Sequence, residues 1–495
     1  MQMPPAEKRI IDQRKSLISI FSKIVGSENV LADETSLRTY DSDGLTAYKQ
    51  LPMLVVLPAN TEEVSALMRV CSERKVKIVP RGAGTSLSGG ALPLEDGVVI
   101  GTGRLNRILE IDYNNRCAVV QPGVPNLSVS QAVDTAGFFY APDPSSQIIC
   151  SVGGNVAENS GGVHCLKYGV TTNNILGVEF VTISGEVVRF GGKHFDSAGY
   201  DFLGVVTGSE GMLGLVTEVT VRLLPKPPIA KALLVGFPTN ESAGHCVADI
   251  IDNGIIPAGL EMMDRAAVAA AEDYCNAGYP LDSEAVLICE LDGTESEVDI
   301  LIERVSDIAR ASKATSITIS KDDEERDRFW LGRKSAFPAT AKIAPDSYVM
   351  DGTIPRRKLA EVLGRIGELS SQYGLQVVNV FHAGDGNLHP LIMFDANIPG
   401  ELERVEELGA KILTLCVEVG GVLTGEHGVG VEKRDLMPTM FTESDMQQQQ
   451  RLKCAFDPDH LLNPGKVFPE LHRCAELGQM HIHHGSEKWP DIPRF

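Results

Sequence analysis

Positive charge is what this 495-residue chain has least to spare: 45 Lys and Arg stand against 66 Asp and Glu, a net charge of −21. Nucleic-acid binding relies on a basic surface, so a nucleic-acid partner is argued against. An anionic small molecule is not, since it needs only a local cationic site. Long apolar runs are also missing, and none approaches the roughly 20 residues that span a bilayer. Met1–Lys8 lacks the basic-then-apolar layout of a signal peptide, so a cytoplasmic enzyme is the expectation. The ten cysteines, Cys71, Cys117, Cys150, Cys165, Cys246, Cys275, Cys289, Cys416, Cys454 and Cys474, include no C-x-x-C pair. An iron–sulfur or structural zinc cluster within the chain is therefore not expected. Isolated cysteines of this kind read as small core residues.

What is present is an ordinary globular composition, 43% hydrophobic, in a chain too long for one core. Residues 9–25 have apolar positions at helical spacing, a leading amphipathic helix. From Leu54 to about Arg222 the texture is short β-type runs broken by glycine. Strands Leu54–Leu57 and Val76–Val79 flank a helix for which Thr61 is the expected N-cap. Val98–Ile100 and Cys117–Gln121 follow, then a hairpin of Phe180–Ile183 with Val187–Phe190. The run Leu213–Leu224 ends at Pro225-Lys226-Pro227-Pro228, the best domain boundary. Beyond it come strand 232–237, helix 240–253, strand 285–291, helices 294–312 and 322–336, strand 347–350 and helices 356–373 and 401–420. This is the pattern of an α+β domain with helices on one face of an antiparallel sheet. The expected partition is an N-terminal helical segment 1–47, a domain 48–227, a second 228–430, and a C-terminal segment 431–495 with a tail carrying His481, His483 and His484. A solvated tail is the expectation there, with metal binding or partner docking the alternatives.

The chemistry concentrates in Val380-Phe381-His382-Ala383-Gly384-Asp385-Gly386-Asn387-Leu388-His389. Asp-Gly favours a two-residue type I′ turn. With Asp385-Gly386 as that turn, Gly384 pairs with Asn387, Ala383 with Leu388, and His382 with His389. Opposed side chains share a face with Cβ atoms about 5 Å apart, close enough for two imidazoles to hold one metal ion. Gly425-Glu426-His427-Gly428 supplies a carboxylate and a further imidazole. A His/His/Glu site leaves coordination positions open for a substrate. The alternative is a polar hairpin tip with solvated histidines.

Three glycine-rich segments lie upstream. Pro80-Arg81-Gly82-Ala83-Gly84-Thr85-Ser86-Leu87-Ser88-Gly89-Gly90 follows a strand, so its backbone N–H groups can form an anion nest. It matches neither the P-loop nor the dinucleotide fingerprint. Ser151–Gly162 and Gly208–Gly214 are the others, with the hydroxyl-bearing turn Pro142-Asp143-Pro144-Ser145-Ser146 between. Together they point to a large cofactor threaded between backbone segments.

These segments, in this order, resemble the FAD-binding domain of the vanillyl-alcohol oxidase/p-cresol methylhydroxylase flavoprotein superfamily. His382-x6-His389 and Gly425-Glu426-His427-Gly428 resemble its D-lactate and D-2-hydroxyacid dehydrogenase branch. Ala141–Gln147 and Asn159–Gly169 are similar to the branch's glycolate-oxidising members, and the likeness covers roughly 40–470. It implies a two-lobed FAD-binding domain of that type with an α+β cap domain containing an antiparallel sheet. It implies that Arg81, Gly82, Ala83, Gly84, Thr85, Ser86, Gly89 and Gly90 hold the FAD pyrophosphate. Pro142, Ser146, Gly153, Gly154, Asn159, Gly161 and Gly162 would line the ADP and flavin path, Gly211 and Val216 the adenine side. Asn463 would return to the flavin. The first loop has Thr85 and Ser86 where some relatives tether FAD through histidine, so a non-covalent flavin is implied.

By the same resemblance His382, His389 and Glu426 are metal ligands, for zinc by expectation with iron or manganese as alternatives, His427 is the general base, and Arg333 binds the substrate carboxylate. Val349 and Leu391 replace a lysine and an asparagine of relatives that take larger substrates, which implies a short hydroxyacid, glycolate or D-lactate. The activity implied is oxidation by hydride transfer to flavin. Lacking a second redox centre, the chain would pass electrons to a second flavin-type subunit and an iron–sulfur subunit, with peripheral association at the inner membrane through them. A stand-alone D-lactate dehydrogenase with another acceptor is the alternative. A zinc hydrolase could use the same histidines but would not need three glycine-rich loops.

Overall fold

The structure, a computed structural model, describes residues 3–194 and 199–469, and the backbone alone of 482–483 and 486–487. His481 and His484 lie outside the described residues, and of His483 only the backbone is described.

Two sheets build the first half. One has the strand order Val30–Leu31, Leu54–Val56, Gly97–Gly101, Lys77–Arg81, the last three running parallel. Helix Thr61–Arg74 covers it, capped by Asn60, whose side chain accepts from the Glu63 N–H; the expected cap, Thr61, is the first helical residue. The leading helix, Arg14–Val25, packs Leu17, Phe21 and Val25 into this same core beside Leu54 and Val64. The second sheet is antiparallel, in the order Ile108–Asp112, Cys117–Val120, Leu215–Arg222, Ile175–Val181, Val187–Gly191. Leu215–Arg222 alternates buried and half-buried residues, as a period of two demands of a strand with one wet face.

A seven-stranded antiparallel sheet organises the second half, in the order Ser316–Ile319, Ile229–Phe237, Ala285–Gly293, Gly259–Asp264, Val377–Phe381, Pro390–Phe394, Asp346–Val349. Its helices are not confined to one face, contrary to expectation. Helices Asn240–Asp252, Glu295–Ala311, Leu359–Tyr373 and Glu401–Glu418 share one core with Leu233, Leu287 and Phe381. Helices Arg265–Cys275 and Asp323–Ala339 share another with the alternate residues Leu234, Ile288 and Val380. The strands carry nearly unbroken apolar runs, which suit burial on both faces. Gly259–Asp264 and its following helix were not foreseen, and that strand carries the buried Glu261.

The chain then returns to the first sheet. Ile78 donates its N–H to Leu461 O and accepts from the Asn463 N–H, each at 2.7 Å. Of the cysteines, Cys71, Cys117, Cys150, Cys246, Cys289 and Cys416 are buried, and burial pushes the Cys71 thiol up to about 12.

Candidate active site

A cavity of about 670 Å³ runs between the two halves. One end is walled by the three glycine-rich loops, the other by Val349, Val380 and Leu391 of the seven-stranded sheet and by Arg333 and Phe337 of helix Asp323–Ala339. Of the residues expected at the cofactor, Arg81, Gly82, Ala83, Gly84, Thr85, Ser86, Gly90, Ser146, Gly153, Gly154, Gly211 and Val216 line it. The loops close tightly because they lack side chains: a Cβ at Gly153 would lie 2.4 Å from Pro122 Cβ, and one at Gly82 2.3 Å from Ser151 Oγ. Arg81 contributes the local cation, its Nη1 donating to Ser42 O at 2.6 Å.

Other expected residues stand behind that wall. Pro142 O accepts from Asn126 Nδ2, whose Oδ1 in turn accepts from Asn155 on the lining. Asn159 ends its helix in the left-handed conformation, with Oδ1 accepting from the Thr172 N–H. Gly89, Gly161 and Gly162 leave room for Val431, Glu426 and Asp143 respectively. Asn463 Nδ2 donates to Gly90 O at 2.9 Å and Glu210 O at 2.7 Å, a strut rather than a lining group.

At the opposite end the histidine segment departs from its expected register. His382 pairs with Asn387, not His389, around a four-residue loop in which Gly386 alone has positive φ. Two contacts explain this. The Asp385 side chain accepts from the Asn387 N–H, and the Gly384 N–H is drawn to Leu260 O on the neighbouring strand, so the ladder cannot continue to Asp385-Gly386. The shift is two residues, which preserves the face. His382 and His389 therefore still meet, as diagonal neighbours with ring centroids 5.0 Å apart.

Glu426 completes the group. Its Oε1 lies 3.3 Å from both His382 Nε2 and His389 Nε2, and the three ligand atoms fall within 4.8 Å of one another. Among the described residues His389 Nε2 is buried without a hydrogen-bond partner, and two imidazoles with one carboxylate form a donor set that suits zinc, iron or manganese. These residues fit a divalent ion. His427 stacks on His389 with centroids 4.9 Å apart, its Nε2 4.0 Å from Glu426 Oε1.

Two acids that the sequence did not announce order this group. Glu261 Oε1 accepts from His382 Nδ1 at 2.8 Å, which turns Nε2 toward Glu426. Its Oε2 takes Arg333 Nε and Nη2 at 2.8 and 2.7 Å. Arg333 is therefore buried with its Nε–Nη2 edge already paired, and its Nη1–Nη2 end is the part left to meet a substrate carboxylate. The signal for Glu261 was an acid within the apolar run Gly259-Leu260-Glu261-Met262-Met263. Asp351, fully buried, accepts the successive N–H groups of Gly425, Glu426 and His427 at 3.0, 3.2 and 2.9 Å, and Lys433 Nζ at 3.1 Å.

The charges follow from these contacts. Burial would lower His382, but Glu261 and Glu426 outweigh it and hold its pKa well above the usual imidazole value. Burial raises Glu426, yet His382 and its companions bring the carboxyl down to about 2. His427 goes the other way: burial first, then the neighbouring His389 and Lys433, outweigh Asp351 and lower it to about 4. It is neutral at neutral pH and free to accept a proton. Beside these groups the wall is aliphatic: Val349 and Leu391 are cross-strand partners, with Val380 adjacent.

The architecture, the glycine-walled cleft and the titratable cluster define a flavin-dependent oxidoreductase. The fold is that of p-cresol methylhydroxylase with substrate bound (TM-score 0.79, 19% identity, 92% of this chain and 97% of that one). It is also that of 4-ethylphenol oxidase from Gulosibacter chungangensis in its isoeugenol complex (TM-score 0.79, 19% identity, 95% and 99%). An FAD binding domain model matches residues 52–191, and a model of the C-terminal domain of FAD linked oxidases matches 226–467. The chain belongs to the FAD-linked oxidase family. It is 56% identical over 485 residues to glycolate oxidase subunit GlcD of Escherichia coli K12, covering 98% of this chain and 97% of that one. It is 41% identical to the protein of that name from Bacillus subtilis (90% and 95%) and 34% identical to D-lactate dehydrogenase of Archaeoglobus fulgidus (84% and 92%). No helix among the described residues is long and apolar enough to cross a membrane.

Proposed function

We propose that this chain oxidises glycolate to glyoxylate, and D-lactate to pyruvate as a second substrate, as the hydride-accepting subunit of a larger assembly. The observation that carries this reading is the meeting of His382, His389, Glu426 and His427 at the aliphatic end of a flavin cleft. Bound non-covalently along the loops 81–90, 151–162 and 208–214, FAD supplies the hydride acceptor. His382, His389 and Glu426 would hold a divalent ion, which would supply a Lewis acid for the substrate hydroxyl.

The chain's own side chains do the rest. Arg333 Nη1 meets the substrate carboxylate and orients it, with the other guanidinium edge locked on Glu261. His427, neutral, takes the hydroxyl proton at Nε2 as hydride leaves the carbon. Val349, Val380 and Leu391 leave no polar partner for a long substrate's far end, which favours two- and three-carbon acids and helps exclude water.

Electrons must then leave, and the sequence has no C-x-x-C pair of the kind that holds an iron–sulfur centre. A second flavin-type subunit and an iron–sulfur subunit are the acceptors we assign, in keeping with the word subunit in the names of the glycolate oxidase relatives. The D-lactate dehydrogenase relative supports the alternative of a stand-alone enzyme with another acceptor. Anaerobic mixing with glycolate and with D-lactate tests the reading: the flavin's visible absorbance should bleach with glycolate. A flavin that stays oxidised with both acids would refute it.

A further inference from the structure

Glu210 lines the cavity and enters the account above only through its carbonyl, which accepts from Asn463, yet its surroundings are particular. Each carboxylate oxygen takes one backbone N–H: Oε1 from Val429 at 2.8 Å and Oε2 from Gly430 at 2.7 Å. These donors come directly after the Glu426–Gly428 turn. Its backbone sits in the left-handed region at φ 50°, between Gly208 and Gly211, which tolerate positive φ without penalty. A long side chain kept in such a conformation marks a site where something other than conformational ease decides the residue. Glycine would sit there with less strain but without the two oxygens.

The segment Glu210 holds crosses between domains. Asp351, just beyond strand Asp346–Val349, takes the N–H groups of Gly425, Glu426 and His427, and the cleft-wall Glu210 takes those of Val429 and Gly430. Ser88 O, on the first glycine-rich loop, then accepts from Val431 and Glu432 at 2.9 and 3.1 Å. The turn bearing Glu426 and His427 is thus pinned at one end to the second domain and at the other to the cofactor domain. Two oxygens meeting two nearby donors permit essentially one placement.

We propose that Glu210 is a positioning residue, acting through the Val429 and Gly430 amides to set the His427 turn against the flavin cleft. This rests on His427 being the base. The experiment is a double-mutant cycle on the holoenzyme with Glu210→Gln, His427→Ala and the double variant. It reads the limiting rate of flavin reduction, the apparent Kd for glycolate, and flavin per protein. Glu210→Gln, which puts an amide N–H against one of the two donors, should lower the limiting rate about tenfold, with the apparent Kd held within about threefold and flavin retained. The double variant should be no slower than His427→Ala. Multiplicative losses, or an unchanged limiting rate in Glu210→Gln, overturn the inference. An unimpaired His427→Ala would instead refute the functional reading itself. If Glu210→Gln sheds its flavin, Glu210→Asp, which keeps the charge and loses the reach, carries the same comparison. Loss of flavin in both would overturn the inference by assigning Glu210 to cofactor retention.

Discussion

Glu261 stands opposite His382 across two antiparallel strands, one register step beyond the Met262–Phe381 pair, with its Oε1 2.8 Å from His382 Nδ1. A carboxylate behind a histidine fixes the tautomer and leaves the other nitrogen free to coordinate. The consequence is measurable: Glu261→Gln should lower the affinity for the bound divalent ion about 10–100-fold. Chelator competition followed by metal analysis checks it, and an unchanged affinity would separate Glu261 from the metal site.

Removing a ligand should be harsher. His389→Ala leaves Glu426 with one imidazole, so metal content should fall to background, and glycolate-driven flavin reduction should drop by about a hundredfold or more. Flavin should stay bound, because His389 lies outside the three glycine-rich loops assigned to it. Elemental analysis beside anaerobic spectroscopy decides the point, and full metal content in the variant would contradict the ligand set.

The aliphatic wall predicts substrate range. Val349→Ala with Leu391→Ala removes methyl groups from a directly facing pair. Relative kcat/KM should move toward longer unbranched 2-hydroxyacids by about tenfold, since each methylene in an apolar pocket is worth about 1–3 kcal/mol. Steady-state kinetics across a chain-length series measures the change, and an unaltered preference would place selectivity elsewhere.

A clasp between the domains gives a pH signature. His164 Nδ1 lies 2.7 Å from Asp143 and its Nε2 3.2 Å from Glu290 on the seven-stranded sheet. Burial would lower its pKa, but the two carboxylates outweigh this and raise it well above the usual 6.5. A folded value above the unfolded one means that the contribution is complete below about pH 6.5 and disappears as pH rises through the raised value. Thermal midpoints should show His164→Gln destabilised by about 2 kcal/mol at mildly acidic pH and converging on the parent in alkaline buffer. A gap that widened with pH would reverse the assignment.

Much of the fold was legible because its cues are local. Leu215–Arg222 alternates cleanly, and helix Glu295–Ala311 presents Val298, Ile302, Val305 and Ala309 along one stripe. Gly259–Asp264 escaped notice because a short apolar run leading straight into a helix has no distinctive period. The expectation of helices on one face failed for a related reason: an apolar run does not say how many faces it buries.

At the site, residue types were readable and relationships were not. His382, His389, Glu426 and His427 could be picked out, yet the turn between the first two was misjudged, and only the even size of the slip kept them on one face. The amino-acid order by itself determined which chemical groups the chain carries, the glycines that let three loops approach one another, and the local periods of its strands and helices. Tertiary structure alone decided that Glu261 locks both His382 and Arg333, that Asp351 and Glu210 pin one turn from two domains, and which expected glycines line the cleft. The reason is physical: those contacts join residues up to 220 positions apart, and their geometry is set by packing and register rather than by neighbours in the chain.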